Sequence, residues 1–349
     1  AHEEGLLLDV ATGGELFVAL HAGVPAERCV MHGNNKSVAE LREAITAGVR
    51  HLVVDSFDEL DRIDALHRTG LPAPRVQLRI TPGVYVHTHE YVSTGQNDSK
   101  FGFNLANGDA QRAVARARAS TSLRLVGLHC HIGSNVFETE NFTKAAGVMV
   151  RFANECGLPE LTLGGGLGVA YLNGETAPTI TEWATALRAA TKHLQGGVKV
   201  MVEPGRSIVA SAALTLYEVG TVKSIPGVRT YVAVDGGMSD NPRPVLYGSG
   251  YEAFVPSRTD ADRTMSARIV GKHCESGDVL ISEAVLPADV RVGDVIATPV
   301  TGAYGHSMGS NYNKVPRPAV VFVRDGAARI VVRRETYDDL VRNDVTDSV

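Results

Sequence analysis

Over roughly its first 210 residues the chain alternates short apolar runs with amphipathic stretches of helical length. The runs that read as strands are Leu6–Val10, Cys29–Gly33, His51–Asp55, Arg75–Ile80, Leu123–Ile132, Glu160–Leu163 and Lys199–Glu203. They are nearly continuous in apolar residues and do not alternate with polar ones, which marks strands covered on both faces, hence a parallel sheet flanked by helices. Helix starts carry a Ser or Thr followed three residues on by Glu: Thr12 with Glu15, Ser37 with Glu40, Ser56 with Glu59 and Thr179 with Glu182. Gly23, Gly48, Gly70 and Gly157 stand where helices should stop.

Seven strands are one fewer than a closed parallel barrel contains. His2–Gly5 reads as the tail of a helix with no strand ahead of it, so the first βα unit is expected upstream of residue 1. An open doubly wound sheet is the competing arrangement, but no G-x-G-x-x-G follows the first strand. After about residue 211 helical periodicity gives way to β-rich runs, at Thr230–Val234, Ala267–Val270, Asp294–Val300 and Ala319–Val323. Asp325–Gly326 is a hairpin signal. The expected architecture is α/β plus all-β. A (β/α)8 TIM-like barrel lacking its first unit covers residues 1–211, and a C-terminal β domain covers 212–349, with no low-complexity linker between them.

Composition excludes several classes. With 349 residues, 21% charged, and a net charge of −5 without long single-sign runs, bulk electrostatics point to neither nucleic acid nor an anionic membrane surface. No stretch reaches the roughly 20 apolar residues of a membrane span. The N-terminus reads as neither a signal nor a transit peptide. Cys29, Cys130, Cys156 and Cys274 are widely spaced without a C-x-x-C pair, which argues against a disulfide framework or structural zinc and for a reducing cytoplasm.

Barrel chemistry sits at the C-terminal ends of strands, here Asp9, His32-Gly33-Asn34, Asp55, His129-Cys130-His131, Gly164-Gly165-Gly166 and Glu203. His129 and His131, at i and i+2, share a face and suit a metal pair, an imidazole lying on an aromatic cofactor, or hydrogen-bonded barrel histidines. His87-Thr88-His89 has the same spacing in a loop-like setting and reads as structural. Gly164-Gly165-Gly166-Leu167-Gly168 can converge backbone N–H groups on an anion or simply make a tight turn. Glu203-Pro204-Gly205-Arg206 offers either a carboxylate partner for a ring nitrogen or a structural ion pair. In the β domain, Cys274 stands in a charged loop, and Tyr304 follows a strand-like run, where it can donate to a phosphate or merely pack.

As an ordered set these residues resemble the fold type III, alanine-racemase-like pyridoxal-phosphate decarboxylases, and among them the diaminopimelate decarboxylases. The matching segments are Leu8-Asp9-Val10, Gly13-Gly14-Glu15-Leu16, His32-Gly33-Asn34-Asn35-Lys36, Gly127 through Ser134, Gly164 through Gly168, and Glu203 through Arg206. Ser239-Asp240-Asn241-Pro242-Arg243, Leu246-Tyr247-Gly248, Cys274 through Asp278 and Gly302-Ala303-Tyr304 continue the likeness along nearly the whole chain. The resemblance implies pyridoxal 5'-phosphate as cofactor, no metal, and conversion of meso-2,6-diaminopimelate to L-lysine with release of carbon dioxide. In it His131 stacks on the pyridine ring, and Ser134, Gly165, Gly166 and Tyr304 hold the phosphate, with Asp9, Gly205 and Arg206 also at the cofactor. Glu203 keeps the ring nitrogen protonated, so that the ring accepts the electrons released with carbon dioxide. Cys274 is the general acid, reaching its site from the second subunit of a homodimer with composite sites. Glu275 reads the distal amino group, and Arg206, Arg243, Tyr247 and Tyr304 line the substrate site. The family's cofactor lysine lies in a Tyr-x-x-Lys-Ala motif that this chain does not contain, and it is expected upstream of residue 1. Competing functions are a decarboxylase of ornithine, arginine, carboxynorspermidine or a natural-product substrate, a metal-dependent barrel hydrolase, and a non-catalytic binding homologue.

Overall fold

All four expected helix caps form. In the computed structural model, which describes residues 1–84 and 95–345, Thr12 and Ser56 accept from the backbone N–H of Glu15 and Glu59. Ser37 and Thr179 make reciprocal capping boxes with Glu40 and Glu182. The helices so started alternate with strands: β1 (Leu8–Val10), α1 (Gly13–His21), β2 (Cys29–Met31), α2 (Val38–Ala47), β3 (His51–Val54), α3 (Phe57–Arg68), β4 (Arg75–Thr81), β5 (Phe103–Asn104), α4 (Asp109–Ala119), β6 (Arg124–His129), α5 (Thr139–Cys156), β7 (Glu160–Thr162), α6 (Ile180–Ala190) and β8 (Lys199–Met201). The sheet runs β1-β2-β3-β4-β6-β7-β8, every pair parallel, with the short β5 beside β4. Its seven sequential strands are the seven expected, each shorter than its apolar run except β4, which extends one residue further to Thr81; β5 had no signal. Residues 2–5 form turns rather than the end of a helix, closed by bonds from Glu4 N to Ala1 O and from Gly5 N to His2 O. His87 and His89 lie outside the described residues.

The chain divides into two compact units, residues 1–168 with 177–205, and residues 169–176 with 206–349. The boundary expected at 211/212 therefore falls at 205/206, and an excursion at 169–176 joins the second unit. Side-chain burial explains both shifts: Tyr171 packs edge-on against Tyr251 at 5.3 Å in the second unit's core, and the Arg206 guanidinium donates to the Tyr171 hydroxyl at 2.6 Å. That unit contains α7 (Arg206–Val209), β9 (Leu214–Ile225), β10 (Arg229–Val234), α8 (Arg243–Tyr247), β11 (Arg263–Val270), β12 (Val279–Pro287), β13 (Val295–Pro299) and α9 (Gly305–Met308). Its sheet has the order β12-β11-β10-β9-β13, antiparallel except for β10 with β11. The hairpin expected at Asp325–Gly326 joins β14 (Val320–Arg324) to β15 (Ala327–Val332), both turn residues taking positive φ, before a last short helix α10 (Tyr337–Val341).

Two buried polar clusters tie the strands of the first unit together. At the strand starts, Glu160 meets His51 at 2.9 Å and Arg75 at 3.0 Å. Burial there pushes the His51 imidazole down to about 4. At the opposite ends, Lys36 Nζ lies 2.7 Å from Glu59 Oε1 and donates to the carbonyls of Gly33 at 2.8 Å and Val53 at 2.6 Å. Glu59 in turn accepts from Asp55 N at 2.9 Å. This pair fixes the ends of β2 and β3, from which His32 and Asp55 project. Removing one partner of so buried a pair strands the other charge. Lys36→Met should therefore lower unfolding stability by about 3–5 kcal/mol in denaturant titrations. Lys36→Met/Glu59→Met should recover part of that loss; a single variant within 1 kcal/mol of wild type would show that the pair does not hold this end.

Candidate active site

The C-terminal ends of β1, β2, β6 and β8 bring Asp9, His32, His129 and Glu203 together. β6 runs directly into Cys130-His131, and Leu163 and Glu203 continue the β7–β8 pairing past the strand ends, with Glu203 N bonded to Gly164 O at 2.8 Å. His129 Nε2 donates to Glu203 Oε2 at 3.0 Å, and His32 Nε2 lies 3.5 Å from Glu203 Oε1 and 3.4 Å from Asp9 Oδ1. Each carboxylate oxygen of Glu203 thus faces its own imidazole.

Burial alone would raise the Glu203 carboxyl, but the attraction of His129 and His32 and the His129 hydrogen bond prevail and hold it at about 2. Burial also opposes charging of His32, yet Glu203 and Asp9 lift it above the ordinary histidine value. For His129 burial prevails and lowers it, while its Nε2 makes the hydrogen bond to Glu203. His131 is pushed down to about 3 by burial, helped by the Arg79 guanidinium, and Gly165 N donates to its Nδ1 at 3.3 Å. The result is an ionised carboxylate after β8 and a neutral, oriented imidazole after β6, with β7 between the two strands.

The turn after β7 permits this proximity. A Cβ at Gly165 would lie 1.9 Å from Glu203 O, and one at Gly166, where φ is +101°, 2.1 Å from Gly133 O. Only glycine lets the 164–166 backbone lie against both the Glu203 strand and the 133–134 turn. Gly205 meets nothing within 4 Å in this sense, so close packing does not demand a glycine there. Ser134 is half-buried in the 133–134 turn.

In the second unit, two guanidiniums sandwich a tyrosine. Arg206 donates to the Tyr171 hydroxyl and lies over the Tyr304 ring at 4.9 Å. Arg243 stacks over the Tyr171 ring at 4.6 Å and donates to the Tyr251 hydroxyl at 2.7 Å. Tyr304 itself has a positive φ of 63°. Tyr247, half-buried, ends α8, the helix that Arg243 begins. Cys274 and Glu275 are exposed and held by another segment: Asn313 Oδ1 accepts from Cys274 N at 3.1 Å, and Tyr312 donates to Glu275 Oε1 at 2.5 Å.

Reading the sequence did not assign roles to several residues that shape these sites. His32 and His129 were visible as strand-end histidines, but their shared partner was not. Arg79, with Arg75 one of two charges in the run of β4, is half-buried with its Nε 3.8 Å from Asp55. Tyr171, Tyr251 and Tyr312 carried no motif signal. Lys36, although inside a matching segment, is committed to its buried ion pair.

The donor atoms of His32, His129 and Glu203 lie within 4.8 Å of one another, a set that could hold a divalent cation. The same set fits pyridoxal phosphate: an ionised carboxylate for a protonated ring nitrogen, a neutral imidazole for its ring face, and a glycine turn for its phosphate. Comparison with known proteins decides between them. Residues 1–210 match the pyridoxal-binding domain of pyridoxal-dependent decarboxylases. The diaminopimelate decarboxylase of Mycobacterium tuberculosis is 49% identical over 363 residues, covering 98% of this chain and 81% of that protein. That of Bacillus subtilis is 47% identical over 356 residues, covering 99% and 81%. The crystal structure of diaminopimelate decarboxylase from M. jannaschii in co-complex with L-lysine superposes with a TM-score of 0.90 at 34% identity, covering 97% of this chain and 79% of that one. With a carboxylate, imidazole and glycine turn suited to the cofactor and half its sequence shared with these enzymes, the chain belongs to the diaminopimelate decarboxylase family of pyridoxal-dependent decarboxylases.

Proposed function

We propose that the protein decarboxylates meso-2,6-diaminopimelate to L-lysine, releasing carbon dioxide, and that the residues described above perform the separate tasks this requires. The observation that carries the substrate assignment is Arg243. It is 4% exposed, and its charge faces a tyrosine hydroxyl and a tyrosine ring; among the described residues no carboxylate pairs with it. A buried guanidinium without a carboxylate is costly unless a ligand supplies one. A substrate tail bearing both a carboxylate and an ammonium answers Arg243 and Glu275 together. A plain amine tail would set like charges against each other.

Pyridoxal phosphate, when bound, supplies the electron sink for the bond broken on loss of carbon dioxide. Glu203, kept ionised by His129 and His32, holds the proton on the pyridine nitrogen. The neutral His131 ring would stack on the pyridine ring, where a protonated imidazole would oppose the ring's positive charge. Ser134 and the Gly165–Gly166 amides would hold the phosphate with Tyr304, with Gly205 also at the cofactor, while Asp9 steadies His32. Arg206 and Arg243 bind the distal carboxylate with Tyr247, and Glu275 takes the distal ammonium. Cys274 Sγ delivers a proton to the carbon from which carbon dioxide has left.

Exposure of Cys274 and Glu275 supports their serving a site in a partner subunit, so the active unit in this reading is a two-fold homodimer. No helix of the described residues is long and apolar enough to cross a membrane. Four free thiols suit the cytoplasm as the enzyme's location.

Two experiments test this reading. In carbon dioxide release assays on the holoenzyme, Arg243→Ala should lose about 2–4 kcal/mol in kcat/KM for diaminopimelate. Preference of the wild type for ornithine or arginine, or indifference to Arg243→Ala, would move the assignment to another decarboxylation. For the dimer, Cys274→Ala and His131→Ala chains should each be nearly inactive alone, while their heterodimers should regain one working site of two. No recovery in verified heterodimers would mean that Cys274 acts within its own chain or not at all.

A further inference from the structure

A continuous series of contacts leads from a buried carboxylate to Glu275. Asp278 is 2% exposed and accepts from Met238 N at 2.7 Å, from His273 N at 2.9 Å and from the His273 ring Nδ1 at 2.8 Å. Gly237 and Gly271 make room for it: a Cβ at either would stand 2.6 Å or 2.1 Å from the Asp278 carboxylate. The His273 ring, so oriented, stacks on Tyr312 with centroids 5.6 Å apart and planes 6° from parallel. The Tyr312 hydroxyl then donates to Glu275 Oε1 at 2.5 Å. The neighbouring Asn313 accepts from Cys274 N at 3.1 Å. Two consecutive residues of one segment therefore hold two consecutive residues of another.

The backbone of the supporting segment is strained. Asn313 and Lys314 both adopt left-handed conformations, with φ of 51° and 54°, which non-glycine residues rarely take. Such a conformation persists only where surrounding contacts over-determine it. The Asn313 side chain on Cys274 and the Tyr312 ring on His273 are two such contacts.

We propose that Tyr312 is a specificity-positioning residue: through its hydroxyl it fixes the Glu275 carboxylate in the orientation that receives the substrate's distal ammonium. The proposal rests on the assignment of Glu275 above and names what makes that carboxylate selective. Glu275 is exposed, and an exposed glutamate samples many rotamers whose ordering would otherwise be charged against binding. With Oε1 engaged by Tyr312, the side chain is ordered beforehand and Oε2 is left for the ligand; among the described residues no hydrogen bond to Oε2 occurs. The hydroxyl does not touch the reacting carbon, so its contribution belongs to recognition of the tail and not to the chemical step.

Tyr312→Phe keeps the ring and its stack on His273 and removes only the hydroxyl. In the holoenzyme it should raise KM for diaminopimelate about tenfold and leave kcat within about twofold, as expected for loss of one charge-assisted hydrogen bond. The discriminating ligand is 2-aminopimelate, which keeps the distal carboxylate and lacks the distal amine; its inhibition constant should be unchanged by Tyr312→Phe. Added to Glu275→Ala, Tyr312→Phe should cost nothing further. An unchanged KM, equal weakening of both ligands, or full additivity with Glu275→Ala would overturn the role of Tyr312. Should Glu275→Ala itself leave the diaminopimelate KM unaltered, the assignment of Glu275 fails first and the proposal falls with it.

Discussion

A single carboxylate held ionised inside a protein is the constraint on which the first unit is built. Glu203 has only 14% of its side chain exposed, and isolated burial would drive it toward the neutral acid. Two imidazoles from other strands, one per oxygen, reverse that outcome. The placement of His129 depends on β6 ending level with β8, His129 registering through Thr162 with Met201. It depends also on glycines that let the 164–166 turn lie against Glu203's own backbone. Lys36 and Glu59 pin the end of β2 from behind, so an ion pair without chemistry of its own keeps His32 in range.

The second unit solves the opposite electrostatic problem. Arg243 is held by a tyrosine hydroxyl and a tyrosine ring, neutral partners that orient a guanidinium without cancelling its charge, and Arg206 also contacts Tyr171 and Tyr304. In the first unit the protein supplies the counter-charge itself; for Arg243 that task falls to the ligand. Elsewhere in the same unit, the Asp278–His273–Tyr312 series brings a negative group, Glu275, to a fixed orientation by the same means, a neutral hydroxyl. Carboxylate and ammonium recognition thus share one device.

Much of this was legible in the chain. Apolar runs marked the parallel strands because burial on both faces leaves no room for alternation, and four cap signals located helix starts to the residue. The motif segments pointed to His131, Glu203 and the glycine turn. The twelve-residue β9 escaped notice because most of its side chains are exposed, the apolar Leu214 and Leu216 among them, and its alternating burial stops after Gly220. Residues 169–176 escaped because membership of the second unit is decided by Tyr171 packing on Tyr251, a contact 80 residues apart in sequence with no local signature. The pairing of His32 and His129 with one glutamate was hidden for the same reason: strands β2, β6 and β8 meet only in three dimensions. Tyr312 lay in no motif, and only its stack on His273 and its hydrogen bond to Glu275 draw attention to it.

The central claim, that His129 and His32 keep Glu203 ionised, is open to direct measurement by infrared difference spectroscopy. The carboxyl C=O band of cofactor-free protein, taken as wild type minus Glu203→Gln, isolates this one group. At pH 4 an ordinary glutamate is roughly half or more protonated. The account predicts no protonated band for Glu203 at that pH, and its appearance once His129 is replaced by Phe. A wild-type band already present at pH 4, with a midpoint at or above the ordinary glutamate value, would contradict it.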